Sequence, residues 1–287
     1  MQERKKVSIK TLENKKKKGE KIVAVTAYDY PQALLADRAG VDLILVGDSA
    51  SMTTHGWKST IPMTMELMMP HSVSAWRANK YAMLVADMPF LSYQPSDRDA
   101  IINAGRFMSE GGADCVKVEG NQVDRVKAIS DAGIMVMAHL GLTPMTRALL
   151  SGYSVQGKTK EAAEIIRDDA LRMQDAGARL LLLEAMPSEA AEMVRNALQI
   201  PVLGVGAGPN LDGQLVILHD LIGMFFDFKS KFVKRYCEAG LLIENALKQY
   251  ASEVRSGEFP TKEHCYDMKP EELEKALGDP RWKYEKL

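Results

Sequence analysis

Six polar side chains that could take part in catalysis lie at the ends of short apolar segments of the chain. Each apolar segment has the length of a strand that is buried on both faces. When such strands alternate with helices, their carboxyl ends meet on one face of a parallel barrel, where the active sites of that fold form. We therefore expect one shared site, formed by Asp48, Asp87, Lys117, Glu119, His139 and Glu184.

Three of these residues are acids at the ends of consecutive predicted strands, namely Asp48, Asp87 and Glu119. Carboxylate oxygens are the ligands that Mg²⁺ prefers, and such sites keep positions open for substrate and water. Each acid alone is explained as well by a helix cap or by pairing with Lys117. The three together favour a metal site, in which Glu119 binds directly or through water.

Lys117 and Glu119 lie two residues apart in one predicted strand, so both side chains point to one face while Val118 points to the other. A lysine in this position binds a substrate carboxylate or forms a Schiff base. The neighbouring carboxylate favours the protonated amine, and therefore anion binding. A buried structural ion pair between the two residues is the alternative.

Two further strand ends carry His139 and Glu184. His139 is a candidate for orienting a substrate, although a single histidine is more often structural. Glu184 follows four leucines, and a carboxylate in such apolar surroundings suits a general base. Pairing of Glu184 with a lysine or arginine across the site is the alternative interpretation.

The elements that must position these residues alternate regularly along a chain of 287 residues. We predict eight strands, within residues 22–27, 42–48, 81–87, 114–120, 135–141, 179–187, 200–208 and 221–226. The helical segments between them end in recurring Ala-Gly pairs, which are typical helix stops. The pattern predicts a (β/α)₈ TIM barrel as a single domain over residues 1–287, with an N-terminal extension (1–20) and a C-terminal helical extension from about residue 230 to 287.

Three features depart from this regular alternation. Residues 49–64 are rich in Gly, Ser, Thr and Pro, which is typical of an active-site flap. The helix predicted over residues 65–79 is interrupted by Pro70. The segment GVGAGPNLDGQ (204–214) is only weakly similar to a phosphate loop, because its GxGxG spacing differs from that of dinucleotide-binding turns.

Composition limits the classes of function. A net charge of −1 argues against nucleic-acid and membrane partners. The three cysteines, Cys115, Cys237 and Cys265, have no CxxC spacing, which favours reduced thiols. No apolar run approaches the length of a membrane span, and the first residues lack the apolar stretch of a signal peptide. We expect a cytoplasmic protein that acts on small molecules.

Several motifs, taken in order, are similar to those of the ketopantoate hydroxymethyltransferase family. They are TAYD (26–29), LVGDS (45–49), ADMPF (86–90), VKVEG (116–120), HLGLTP (139–144), VQGK (155–158), LLLE (181–184), GAGPNLDGQ (206–214) and GEFPTKEH (257–264). The resemblance implies a TIM barrel of the phosphoenolpyruvate mutase/isocitrate lyase-like superfamily, assembled as a homodecamer.

The same resemblance implies the reaction. It is the transfer of a hydroxymethyl group from 5,10-methylenetetrahydrofolate to 3-methyl-2-oxobutanoate through a Mg²⁺-stabilised enolate, which gives ketopantoate for pantothenate and coenzyme A synthesis. The implied site residues are Asp48 and Asp87 as Mg²⁺ ligands with Glu119 close to the ion, Asp48, Ser49, Asp87 and Lys117 around the oxo acid with His139 near it, and Glu184 as the base.

Five residues depart from the usual family motifs. They are Ala50 and Ser51 after the second strand, Trp57 and Lys58 in the predicted flap, and Met145 after HLGLTP. Loss of a glycine at Ser51 is expected to restrict the backbone there. These positions leave two alternatives open. One is a related Mg²⁺-dependent 2-oxo acid aldolase or lyase with a different oxo acid or aldehyde, and the other is a non-catalytic barrel that binds an oxo acid.

Overall fold

Eight parallel strands close into a barrel in which each strand pairs with the next along the chain, and the last pairs with the first. The computed structural model describes residues 4–149, 152–226 and 230–282. The strands are β1 (Ile22–Thr26), β2 (Leu43–Val46), β3 (Met83–Asp87), β4 (Cys115–Glu119), β5 (Val136–Gly141), β6 (Leu180–Glu184), β7 (Val202–Val205) and β8 (Gly213–Val216). The predicted (β/α)₈ barrel is confirmed.

The chain divides into two compact units, Met1–Cys237 and Glu238–Leu287. The helices of the first unit are α1 (Ile9–Lys18), α2 (Tyr30–Ala39), α3 (Ala50–Thr53), α4 (Met65–Ala78), α5 (Asp97–Ser109), α6 (Val123–Asp131), α7 (Lys160–Asp175), α8 (Ser188–Ala197) and α9 (Leu218–Leu221). The second unit contains α10 (Ala239–Ser256) and α11 (Pro270–Leu277). The outer ends of the two predicted extensions, residues 1–3 and 283–287, lie outside the described residues.

Membrane-spanning helices are not found in the described part of the chain, since no helix there combines the necessary length and apolarity.

The strands are apolar because nearly all of them are buried on both faces. In β6, Leu180 and Leu182 belong to the cluster inside the barrel, whereas Leu181 and Leu183 pack in the outer cluster beneath the helices. In β4, Val118 also packs outward, as predicted. Alternation along a strand therefore leaves the inward positions at its carboxyl end for polar side chains.

The amino-terminal end of the barrel is closed by α1. Its Leu12 is fully buried in the cluster inside the barrel. The basic last turn of α1 meets acids that precede two strands: Lys15 lies 2.7 Å from Asp42, and Lys16 lies 2.8 Å from Asp212. Lysines also suit this position because a helix carries partial negative charge at its carboxyl end.

The eighth strand was predicted in the wrong place. Residues 221–226 do not form it, and β8 begins at the end of the glycine-rich segment (204–214) that was compared with a phosphate loop. Only residues 206–212 separate β7 from β8, so no helix connects them. Gly213 is needed for the pairing of β8 with β1, because a Cβ atom there would lie 2.3 Å from the Ile22 carbonyl oxygen. The apolar run around residue 221 instead follows the short helix α9.

Three smaller predictions also need correction. Helix α4 continues through Pro70, which lies in its second turn. The proline removes only the amide that would donate to the Glu66 carbonyl oxygen, and Glu66 is exposed in the first turn. The predicted flap contains the short helix α3. The C-terminal helix begins at Ala239 rather than near residue 230, because the preceding segment packs on the barrel, where Val233 is buried.

We expect Asp212→Ala to lower the free energy of unfolding by about 3 kcal/mol, because it leaves buried partners of a charge network unpaired. The Asp212 carboxylate accepts a hydrogen bond from the Val202 amide (2.9 Å) and pairs with Lys16 and with Arg195, each at 2.8 Å. Urea unfolding measures the change.

The matched control is Lys18→Ala. The Lys18 ammonium lies 3.9 Å from Glu20 on the surface, so its removal should change the free energy of unfolding by less than about 0.5 kcal/mol. Equal effects of the two substitutions would show that the Asp212 network does not hold the barrel end together.

Candidate active site

A cavity of about 830 Å³ opens at the carboxyl ends of the strands. All of the residues that were singled out for chemistry line it, which shows that the barrel brings them together as predicted. They are Asp48, Ser49, Asp87, Lys117, Glu119, His139 and Glu184.

A buried ion pair lies at the base of this cavity. The Lys117 ammonium is 2.6 Å from Oδ1 of Asp87, and both side chains are almost completely buried. The other Asp87 oxygen accepts a hydrogen bond from the Asp48 amide at 3.0 Å. The partner of Lys117 is therefore Asp87 on the neighbouring strand, rather than Glu119 on its own strand.

The charge of Lys117 is fixed by its neighbours. Burial by itself lowers the pKa of Lys117, but the carboxylates of Asp87, Asp48 and Glu119 outweigh burial and hold the pKa above its usual value. This environment favours the protonated form of the lysine. A protonated amine is not a nucleophile, so this environment favours anion binding over Schiff-base formation.

Three carboxylate oxygens in the cluster are buried without a hydrogen-bond partner. Oδ1 of Asp87 is paired with the Lys117 ammonium, which leaves Oδ2 of Asp48 and Oε2 of Glu119. The second lies 3.5 Å from Nδ1 of His139, beyond usual hydrogen-bond length. Burial, and then the charge of Asp87, raise the pKa of Asp48 well above its ordinary value. Carboxylate oxygens in such surroundings are suitable ligands for a cation.

A Mg²⁺ ion fits this donor set. In residues 4–149, 152–226 and 230–282, no three His, Cys, Asp or Glu side chains are arranged as a ready metal shell. Mg²⁺ does not need one, because it is commonly held by one or two carboxylates and completes its shell with water and substrate oxygens. The unpartnered oxygens of Asp48 and Glu119 are donors of this kind.

His139 connects the ion pair to Glu184. Its Nδ1 lies 3.1 Å from the Lys117 ammonium. An ammonium group only donates, so Nδ1 is the acceptor and the ring proton lies on Nε2, which is 3.2 Å from Oε2 of Glu184. The Glu184 side chain is 21% exposed, in contrast to 1% for Glu119. Glu184 is therefore the acid that a bound molecule reaches most easily.

Two tyrosines that the sequence interpretation missed, Tyr28 and Tyr93, form hydrogen bonds to residues of the cluster. The Tyr28 hydroxyl lies 2.7 Å from Oγ of Ser49, and burial raises the pKa of Tyr28 to about 12. The Tyr93 hydroxyl donates to the Glu119 carbonyl oxygen (3.0 Å) and accepts from the Glu119 amide (3.2 Å). Tyr28 belongs to the TAYD motif, which was a usable signal. Tyr93 follows β3 in an irregular loop and gave none.

The unusual residues do not disturb the acid cluster. Ser51 lies in α3 without a left-handed backbone, so the expected restriction of the loop is absent. Trp57 stacks on His55 with ring centroids 4.9 Å apart. Met145 donates its backbone amide to Oε1 of Glu119 at 2.7 Å, a contact that does not depend on its side chain. Lys58 is exposed.

Comparison with solved structures places the barrel among known folds. Phosphonopyruvate hydrolase in complex with oxalate and Mg²⁺ superposes with a TM-score of 0.58 at 14% identity, covering 95% of each chain. 2,3-Dimethylmalate lyase, a member of the PEP mutase/isocitrate lyase superfamily, gives a TM-score of 0.57 at 16% identity over 93% of each chain. These likenesses confirm the predicted TIM-barrel fold.

Sequence comparison is more specific. Residues 6–262 match the model of the family described as ketopantoate hydroxymethyltransferase. The 3-methyl-2-oxobutanoate hydroxymethyltransferase of Moorella thermoacetica is 49% identical over 268 residues, which are 93% of this chain and 100% of the relative. That of Carboxydothermus hydrogenoformans is 46% identical over 94% of this chain and 98% of its own length. The chain therefore belongs to the ketopantoate hydroxymethyltransferase family.

Proposed function

We propose that this chain transfers a hydroxymethyl group from 5,10-methylenetetrahydrofolate to 3-methyl-2-oxobutanoate, forming ketopantoate for pantothenate and coenzyme A synthesis. One observation carries the proposal: a buried cation, unpartnered carboxylate oxygens and an accessible carboxylate converge in one cavity. Relatives that share nearly half of the sequence carry this activity in their names.

Asp48 and Asp87 would hold a Mg²⁺ ion, with Glu119 close to it. The buried, unpartnered oxygens of Asp48 and Glu119 support this assignment. Asp87 already contacts Lys117 and the Asp48 amide, but carboxylate oxygens accept more than one partner. When bound, the ion would polarise the keto group of the oxo acid and stabilise negative charge on its oxygen.

Lys117 and Ser49 would hold the carboxylate of the oxo acid. The lysine supplies a positive charge that its acidic neighbours favour, and the serine hydroxyl is fixed by its contact with Tyr28. His139 completes the orientation through its contacts with Lys117 and Glu184. A substrate held in one orientation has already lost much of its translational and rotational entropy on binding, which lowers the barrier of the chemical step.

Glu184 is the proposed general base. It would remove the proton from C3 of the oxo acid, and the C3 carbanion would form a carbon–carbon bond with the one-carbon unit. Overall, one water molecule is consumed, and tetrahydrofolate and ketopantoate are released. His139 Nε2 lies 3.2 Å from the Glu184 carboxylate and so keeps it directed toward the substrate.

We expect the enzyme to exchange the C3 proton of 3-methyl-2-oxobutanoate for deuterium in D₂O when Mg²⁺ is present and folate is absent. Proton NMR follows the loss of the C3 signal. Removal of Mg²⁺ with EDTA should abolish the exchange. Glu184→Gln should slow it at least about 100-fold, because a positioned base contributes that much to proton transfer.

Exchange that persists at the wild-type rate in Glu184→Gln would disprove the role of Glu184. If the wild-type protein binds the oxo acid without exchange, the barrel is a binding protein and the proposed reaction is wrong.

The contact between Tyr28 and Ser49 gives a second expectation. Tyr28→Phe should raise KM for the oxo acid roughly 3- to 10-fold, the effect of losing one neutral hydrogen bond, with kcat nearly unchanged. Steady-state kinetics measure both constants. Tyr30→Phe is the matched control, because Tyr30 is half-exposed at the start of α2. Equal KM values in the two variants would rule out positioning of Ser49 by Tyr28.

The proposed assembly is a homo-oligomer, a decamer by likeness to the family. Its support is the row of exposed apolar side chains on α10, which includes Leu242, Leu247 and Tyr250. Light scattering should give a mass about ten times that of the chain, as the family likeness implies. A monomeric mass at micromolar concentration would contradict the assignment.

We also place the protein in the cytoplasm, where free thiols such as Cys237 and Cys265 stay reduced.

A further inference from the structure

The cavity has two chemically different halves. The ends of β2 to β6 supply the charged and polar side chains described above. The ends of β7 and β8 instead contribute an apolar wall, which includes Val205, Leu215 and Ile217, and Thr26 at the end of β1 and the exposed Lys231 lie at its border. Because the strands follow one another around the barrel, each half is continuous. Glu184, at the end of β6, lies where the two halves meet.

Two phenylalanines complete the apolar half, and one of them is seated closely on the barrel. Phe232 lies against the backbone just after β7, where a Cβ atom on Gly206 would be 2.6 Å from the Phe232 ring. The next residue, Val233, is buried. Phe225 also lines the cavity, and its carbonyl oxygen accepts a hydrogen bond from Arg235 at 3.1 Å. Phe232, which is 44% exposed, is thus held against the barrel, and Phe225 is held to the segment around Arg235.

Asp220 is an acid within this apolar half. It lies in α9, whose first amide, that of Leu218, donates to the Thr26 hydroxyl at 3.1 Å. Its neighbour His219 stacks on Tyr28 with ring centroids 5.4 Å apart, whereas Asp220 lines the cavity. Asp220 is 8% exposed, and burial raises its pKa despite the opposing charge of Arg235.

The proposed reaction, on which this inference rests, leaves Asp220 without a role. Among the acids that line the cavity within the described residues, it alone lies outside the charged half. A small oxo acid held at Lys117 fills only part of about 830 Å³. The apolar half is therefore the space left for the larger second substrate, the one-carbon carrier.

We propose that Asp220 determines specificity for the folate by accepting hydrogen bonds from the 2-amino group and N3–H of its reduced pterin ring, while Phe225 and Phe232 contact the ring. These two donors are adjacent and coplanar, so one carboxylate accepts from both, as it does from a guanidinium. A flat heterocycle also suits an aromatic wall. The pterin then lies on the side of Glu184 opposite the oxo acid cluster.

Asp220→Asn tests this assignment. The asparagine amide has only one acceptor oxygen, and its NH₂ group would face one of the two N–H donors of the pterin. We expect KM for 5,10-methylenetetrahydrofolate, and Kd for tetrahydrofolate measured by calorimetry, to rise at least about 10-fold. KM for the oxo acid and its C3 deuterium exchange should stay within about twofold of wild type. Phe232→Leu should weaken tetrahydrofolate binding by a smaller factor.

The matched control is Glu66→Gln, which changes an exposed acid of α4 and should leave every constant unchanged. Unchanged tetrahydrofolate binding in Asp220→Asn, with normal exchange, would overturn the role of Asp220 and leave the proposed reaction intact. Equal losses of exchange and folate binding would make Asp220 a structural residue and overturn the proposal as well. Absence of exchange in the wild type would instead refute the proposed reaction, and the calorimetry would still decide whether Asp220 binds the pterin.

Discussion

The active site depends on the balance between one buried cation and the carboxylates around it. Lys117 and Asp87 are partners in the register of β4 and β3, so the barrel itself sets the ion pair. Without the lysine, Asp48, Asp87 and Glu119 would place like charges together in a medium of low dielectric constant. Because Lys117 offsets only part of this charge, the cluster is rich in carboxylate oxygens, which supports the proposed Mg²⁺ site.

The same register arranges the groups beside this pair. Glu119 is the register partner of His139, and Gly141 that of Glu184, so the polar side chains follow one another around the strand ends. Their positions are then fixed from outside by backbone and hydroxyl groups, including the Met145 amide and the Tyr93 hydroxyl. Loop residues can therefore vary in type without moving the acids, which explains how the unusual flap coexists with an intact cluster.

Sequence patterns predict the polar cluster well, because an acid or histidine that ends a buried strand has little choice of direction. They do not predict which charges pair: Lys117 meets Asp87 across two strands, and that register is not visible along the chain. The eighth strand was missed because it has four residues and a glycine, while a more apolar run lies nearby. Because of this error, Asp220 was not predicted to lie near the cavity at the carboxyl ends of the strands.

The short connection between β7 and β8 has a mechanical consequence. Without a connecting helix, the outer surface of the barrel is thinly covered where β8 pairs with β7 and β1; we call this edge the seam. Val23 of β1 is 50% exposed there, and Gln214 of β8 is also exposed. Strands with few packed neighbours open at the lowest free energy, so backbone amides of β8 should be among the first barrel amides to exchange with solvent. Opening at the seam would widen the apolar half of the cavity, whereas the charged half is covered by α4 to α7 and its amides should exchange more slowly.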